Sequence, residues 1–337
     1  MKNNPIDLVV TWVDGEDPVW LKERMVYEPA NISSANCSSR FRDWKTLKYW
    51  FRGIEQNLDW YRYIFFVTYG HVPEWLNLSN PRLKVVCHKD FIPKEYLPTY
   101  NSSVIEMNLH RIEELSENFI LFNDDVFVID KVQEWQFFQN NLPCDMLMAK
   151  VMVNHDLSSL VWHSAFNNMG IINKYFSGGK NNVKNFSKWV NGKYGKHMVK
   201  NFLFMFLSRY SAFYDFHLAI PHNKSLFAEL WEKENRLMDD FCNNKFRTAL
   251  DINHWIFRYW RFASGNFVPI NVSKFGQYYE FNENNLNDIA RMIIEKRHSV
   301  VVLNDTGCEE QEQFEKCQRE VTRALEAILP NKCLFEK

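Results

Sequence analysis

The 337-residue chain has almost no net charge: 40 Lys and Arg stand against 41 Asp and Glu, a formal balance of −1. No global field pulls such a protein towards nucleic acid, and no nucleic-acid partner is expected. No apolar run approaches the roughly 20 residues that a membrane span needs. Residues 1–5 lead directly into a strand pattern without the apolar region of a signal peptide, so no leader is expected. Cysteine is scarce and unpatterned: seven residues, an odd number, with no C-x-x-C pair. That indicates neither a zinc cluster nor a disulfide framework, and suits a thiol-reducing cytoplasm. Gly and Pro, at 11 each, are too few for a low-complexity chain, whereas 46% apolar and 16% aromatic residues suit a packed globular one.

What is present is organised around Phe119-Ile120-Leu121-Phe122-Asn123-Asp124-Asp125. Four apolar residues read as a buried strand, and an amide and two carboxylates follow at its end. Adjacent hard oxygen ligands there suit Mg²⁺ or Mn²⁺, while Asn-Asp-Asp also closes strands as an ordinary turn. Residues 6–13, 64–67, 83–86 and 300–303 repeat the pattern of short apolar strands. Their alternation with helical patterns predicts an α/β fold with a mostly parallel sheet flanked by helices. Asp14, Asp90, Asp124, Asp125 and Asp305 all follow such strands. In parallel strands they would gather on one rim, where a nucleotide and a metal ion bind.

A helix is predicted over 102–115, with Ile105, Leu109 and Ile112 as its core stripe and Ser102, Glu106, His110 and Glu113 opposite. Glu106 and His110 read either as an exposed ion pair or, with Arg111, as site residues. His163, His197, His217, His254 and His298 have no partner pattern and read as structural. Arg40 and Asp43 read either as a pair at a helix start or as site residues.

These residues resemble the Stealth family of sugar-phosphate transferases. Its first block is similar to Ile6-Asp7-Leu8-Val9-Val10-Thr11-Trp12-Val13-Asp14-Gly15. The second is matched at Arg40-Phe41-Arg42-Asp43, at Val67-Thr68-Tyr69-Gly70-His71-Val72-Pro73-Glu74-Trp75-Leu76 and at Asn80-Pro81-Arg82. It continues through Leu97-Pro98-Thr99-Tyr100-Asn101-Ser102, Ile105-Glu106, His110-Arg111-Ile112 and Leu121-Phe122-Asn123-Asp124-Asp125. The third block is similar around Pro221-His222 and Lys245-Phe246-Arg247, the fourth around Val302-Leu303-Asn304-Asp305. Tyr69 and His71 depart from the family pattern, as does the text after His222.

The resemblance implies a GT-A-like core, a divalent metal, and transfer of a hexose-1-phosphate from a nucleotide-sugar, expected to be UDP-linked, to a glycan hydroxyl. An N-acetylhexosamine-1-phosphate is the expected group, in capsular or cell-surface polysaccharide synthesis, with nucleoside monophosphate leaving. On these residues, Asp124 or Asp125 with Asn304 or Asp305 would hold the metal. Thr11, Trp12 and Asp14 would meet the nucleotide, as would Arg42, Asp43, Asn101 and Ser102 around the second block. Arg247 would stabilise phosphate charge, with Arg111 and Arg42 as competitors. His222 is the expected general base, with Glu106 or Asp125 competing. A glycosyltransferase releasing nucleoside diphosphate and an inactive glycan-binding module are the alternatives.

One local absence remains. From residue 157 to 214 there is no Asp or Glu, yet Lys174, Lys180, Lys184, Lys188, Lys193, Lys196, Lys200 and Arg209 fall there, interleaved with aromatics. The chain is accordingly divided into a nucleotide-sugar-binding core (1–150), a basic helical insertion (151–215) and the remainder of the core (216–337). The insertion reads either as a solvated face over a core helix or as a landing surface. As a landing surface, 174–209 would meet a lipid-linked or polyanionic acceptor, or the inner face of a membrane as a peripheral contact of a cytoplasmic protein.

Overall fold

The computed structural model describes residues 4–29, 36, 41–153, 156, 158–282, 284–305 and 310–337, apart from the side chains of Phe281 and Asp305. Arg40, read either as a pair at a helix start or as a site residue, and the side chain of Asp305, expected at the site, therefore lie outside the described residues.

The fold is α/β, GT-A-like, with a mainly parallel central sheet. Strands β1 (Ile6–Trp12), β2 (Ile64–Thr68), β3 (Leu83–Cys87) and β4 (Asn118–Asn123) run parallel in the order β4-β1-β2-β3. β1, β2 and β4 are nearly continuous apolar runs because helices cover both faces of the sheet. On one face Leu8, Val10 and Phe122 pack with Trp50, Phe51 and Ile54 of helix α1 (Leu47–Asn57) and with Val321 and Leu325 of a C-terminal helix. On the other, Val9, Val67 and Leu121 pack with Val104, Leu230 and Phe257.

Beyond β4 the chain turns at Asp124-Asp125 into β5 (Val126–Val128), which leaves the central sheet. A fifth strand of that sheet, β6 (Ile220–Asn223), lies antiparallel against β4 at its edge. β7 (Gly276–Phe281) and β8 (Val300–Asp305) form a second sheet with β5. The last apolar strand of the sequence thus joins this second sheet, and Asp124-Asp125 is the hinge between the two. The buried side chains of segment 151–215, Trp189, Tyr194, Met205 and Tyr210 among them, share one cluster with Phe257, Tyr259 and Phe262.

Candidate active site

Parallel pairing places Thr11 beside Asn123 and Trp12 beside Thr68, so the segments that follow β1, β2 and β4 share one rim. The Asp14 backbone N–H donates to His71 Nε2 at 2.7 Å, and its carboxylate accepts from the Glu16 N–H at 2.9 Å. Asp43 arrives from the loop before α1, where its carboxylate accepts from the Lys45 N–H at 2.8 Å. Close approach here depends on Gly15: a Cβ at that position would stand 1.7 Å from the Phe41 carbonyl oxygen. Burial, and then the charge of Asp14, raises the Asp43 carboxyl above the usual range.

Asp124 and Asp125 hold the centre of the rim. Burial pushes Asp125 up to about 7; Asp124 is also pushed up to about 7, by burial and then by Asp125. Asp124 keeps a solvent-exposed face, which limits how dry its carboxyl can be. Asp125 is the firmer case, because its Oδ1 is sealed from solvent with no hydrogen-bond partner. The Asp125 backbone carbonyl accepts from the Leu303 N–H at 3.0 Å, which brings Asn304 alongside. The Asn304 amide donates to the Tyr278 hydroxyl at 2.5 Å. An orphaned carboxylate oxygen beside a second carboxylate and an amide is a hard-oxygen donor set, and it fits Mg²⁺ or Mn²⁺. Among the described residues no three His, Cys, Asp or Glu side chains converge as a complete cage. A site open to substrate phosphates and water matches that count for magnesium.

His217 faces Asp125, Nε2 to Oδ2 at 3.9 Å, with its ring 5.4 Å from that of Tyr278. Its φ of +50° is in the left-handed region, uncommon for a side-chain-bearing residue and a form of strain that clusters at working sites. A buried ion cluster holds the segment there. Arg258 donates to Asp145 and to Asp215 at 2.7 Å each, and the Tyr259 hydroxyl donates to Asp215 at 2.5 Å. Burial, then the charge of His254, lowers the His217 pKa from its usual value, and the exposed third of the side chain limits that desolvation.

A second group closes the other side. Arg247 Nη2 donates to Ser102 Oγ at 2.5 Å, and the Asn101 amide donates to Asp251 at 2.7 Å. Asn36 grips the Arg247 backbone through both its amide groups. One turn along from Ser102, Glu106 Oε2 lies 2.6 Å from His254 Nδ1. A carboxylate accepting from Nδ1–H leaves Nε2 as the imidazole acceptor. Glu106, His254 and Arg247 all act electrostatically on His217, which ties the two groups into one site.

Asp14, Asp43, Asn101, Ser102, Glu106, Asp124, Asp125, Arg247 and Asn304 are thus brought to the rim. Thr11 reaches it through its register with Asn123. Other expectations need correction. His222 pairs with Phe119, four residues and roughly 13 Å short of the end of β4. Its ring is wholly buried against Phe119, Phe227 and Phe257, and burial holds its pKa well below the usual value. A ring sealed there cannot meet an acceptor hydroxyl. The predicted long helix stops at Met107 and gives way to a 3-10 turn, which breaks the shared face of Glu106 and His110. His110 packs instead on Phe227 and Trp231, and Arg111 stacks 4.5 Å over Trp231. Trp12 is 9% exposed and packs on Phe66 and His71, supporting the rim from beneath. Arg42 lies 4.8 Å over the Phe314 ring. Asp90, at the end of the edge strand, caps a helix by accepting from the Cys87 N–H.

The sequence reading missed His217 and His254. Each stands next to a strong local signal, the apolar start of β6 and the aromatic helix α2 (Trp255–Ser264). Periodicity marks those elements without saying where their entrances lie.

Residues 4–31 match Stealth protein CR1, conserved region 1, and residues 40–145 match Stealth protein CR2, conserved region 2. A capsular polysaccharide phosphotransferase, WcwK, of Streptococcus pneumoniae is 42% identical over 342 residues, covering 100% of both chains. The receptor polysaccharide phosphotransferase WefC of Streptococcus oralis is 32% identical over 99% of each chain. The exopolysaccharide phosphotransferase cps2G of Lactiplantibacillus plantarum is 31% identical over 98% of this chain and 96% of its own.

Proposed function

Because the chain belongs to the Stealth family, whose relatives are capsular and exopolysaccharide phosphotransferases, we propose that it moves a sugar-1-phosphate from a nucleotide-sugar to a glycan hydroxyl. The donor is read as UDP-linked, the group as an N-acetylhexosamine-1-phosphate, and the acceptor as a growing surface polysaccharide, lipid-linked or polyanionic. The observation that carries this reading is one rim holding the orphaned Asp125 carboxylate, His217 and Arg247.

The acceptor oxygen forms a bond to the sugar-bearing phosphorus while the bond from that phosphorus to the bridging oxygen breaks. The bridging oxygen departs with the nucleoside monophosphate, and the anomeric C–O bond, untouched, keeps its configuration. His217 Nε2 takes the acceptor proton, and Asp125 beside it favours the imidazolium that forms. Arg247, oriented through Ser102, carries phosphate charge. Glu106 holds His254 in the tautomer whose Nε2 accepts, so this second imidazole orients a substrate hydroxyl. Asp124, Asp125 and Asn304 would hold Mg²⁺ or Mn²⁺, which supplies neutralisation of the diphosphate charge. A cytoplasmic reaction is part of the proposal, and the unpatterned cysteines are in keeping with it.

The test is to incubate the protein with nucleotide-sugars, Mg²⁺ and oligosaccharide acceptors and identify the nucleotide released. Monophosphate supports the reading. Diphosphate would make the enzyme a glycosyltransferase, and no release across a broad panel would leave a binding module.

A further inference from the structure

The acid-free segment folds so that its apolar residues divide into two sets. Trp189, Tyr194 and Met205 are buried, as the core requires. Val199, Phe202, Leu203, Phe206 and Leu207 are not: each is between 42 and 64% exposed, along the helix His197–Phe204 and its continuation. Phe202 and Phe206 pack edge to face on one another across 5.3 Å, and both remain exposed. Scattered exposed apolar residues need no explanation, but five within nine positions form a patch.

Lysines flank this patch. Lys196 and Lys200 are exposed on the same helix. A neighbouring helix, Gly178–Lys184, lies directly on the 205–208 backbone: the Gly178 N–H donates to Ser208, and Asn182 donates to the Met205 carbonyl. A Cβ at Gly178 would stand 2.3 Å from the Leu207 carbonyl oxygen, so only glycine permits the contact. Lys180 and Lys184 are exposed on the side of that helix turned away from the contact, about half a turn from Gly178 and Asn182. Among the described residues none of these four lysines has a carboxylate partner.

We propose that this face is a membrane-docking surface that takes an anionic phospholipid bilayer. Apolar tips that enter the headgroup boundary, flanked by the ammonium groups of Lys196 and Lys200 that meet lipid phosphates, are the chemistry of an interfacial helix. The alternatives fit less well. A soluble polyanion would use the lysines but leave five apolar side chains in water. A second copy seated on the same patch would set lysine rows against each other. The helix is eight residues long, and among the described residues no helix is long and apolar enough to cross a membrane. The contact therefore lies at the surface. It is independent of the reaction proposed above.

The test is sedimentation of the full chain with vesicles of phosphatidylcholine alone, and of phosphatidylcholine and phosphatidylglycerol in equal parts. Binding to the anionic vesicles, released by salt and weak on the neutral ones, is expected. Replacing Lys196 and Lys200 by Gln should weaken it about 25-fold, at about fivefold per lysine. Phe202→Ser with Phe206→Ser, both exposed, should weaken it by a similar factor while nucleotide release with a soluble acceptor stays at the parent rate. Absence of binding to anionic vesicles overturns the proposal. Undiminished binding of the Phe pair variant also does so, by reducing the face to a polyanion site. Self-association of the parent that disappears in the same variant would assign the patch to a second copy instead.

Discussion

Replacing His217 by Gln separates the histidine at the rim from the one in the core. The side chain is about a third exposed and its nearest charged partner is 3.9 Å away, so little packing depends on it. Stability should change by less than about 1 kcal/mol, as for other changes that open no cavity. Turnover should fall about 10²–10⁴-fold, the usual worth of a positioned general base, or about 2.7–5.4 kcal/mol of barrier. His222→Ala inverts the pattern. That ring is wholly buried among three phenylalanines, so its removal opens a cavity that costs about 2–4 kcal/mol. Turnover per folded molecule should stay within about threefold of the parent, because nothing at the rim is lost. The assay is release of nucleoside monophosphate at saturating donor, normalised to the folded fraction from chemical denaturation. The reasoning fails if His217→Gln keeps more than a third of the parent turnover, or if His222→Ala loses turnover while its stability is unchanged.

Asp125→Asn keeps the shape of the side chain and removes its charge, and should cost at least about 100-fold in metal-dependent activity. In the parent, apparent Mg²⁺ affinity should rise with pH through about 7, because protons compete for the Asp125 carboxyl below that value; equal affinity at pH 6 and 8 would count against the site. Arg258→Met strands Asp145 and Asp215 as buried carboxylates and should destabilise by about 3–5 kcal/mol, read by urea denaturation. His88 is buried, and desolvation, then His71, lowers its pKa to about 3. The unfolded chain therefore takes up a proton near pH 6.5 that the folded chain refuses, so its contribution is complete above 6.5 and is lost as pH falls towards 3. Relative to His88→Gln, parent stability should drop by about 1.4 kcal/mol per pH unit below 6.5.

The strands and the carboxylates at their ends were legible in the chain alone. A short apolar run closed by Asn123-Asp124-Asp125 is a local pattern, and parallel pairing carries the ends of β1, β2 and β4 to the same rim. The triplet is the turn into β5, and the proposed metal site rests on the same two carboxylates. Tertiary structure alone decided which histidine lies beside that triplet. β6 runs antiparallel to β4, so its entrance, not its end, meets the rim. His217 arrives beside Asp125, while His222, five residues later, has travelled down the strand into the core. Likewise, the change from α-helix to 3-10 turn after Met107 keeps Glu106 at the site and carries His110 away from it. Composition and spacing fix what a segment is. Strand direction and helix phase, set by partners far along the chain, fix which of its side chains can meet.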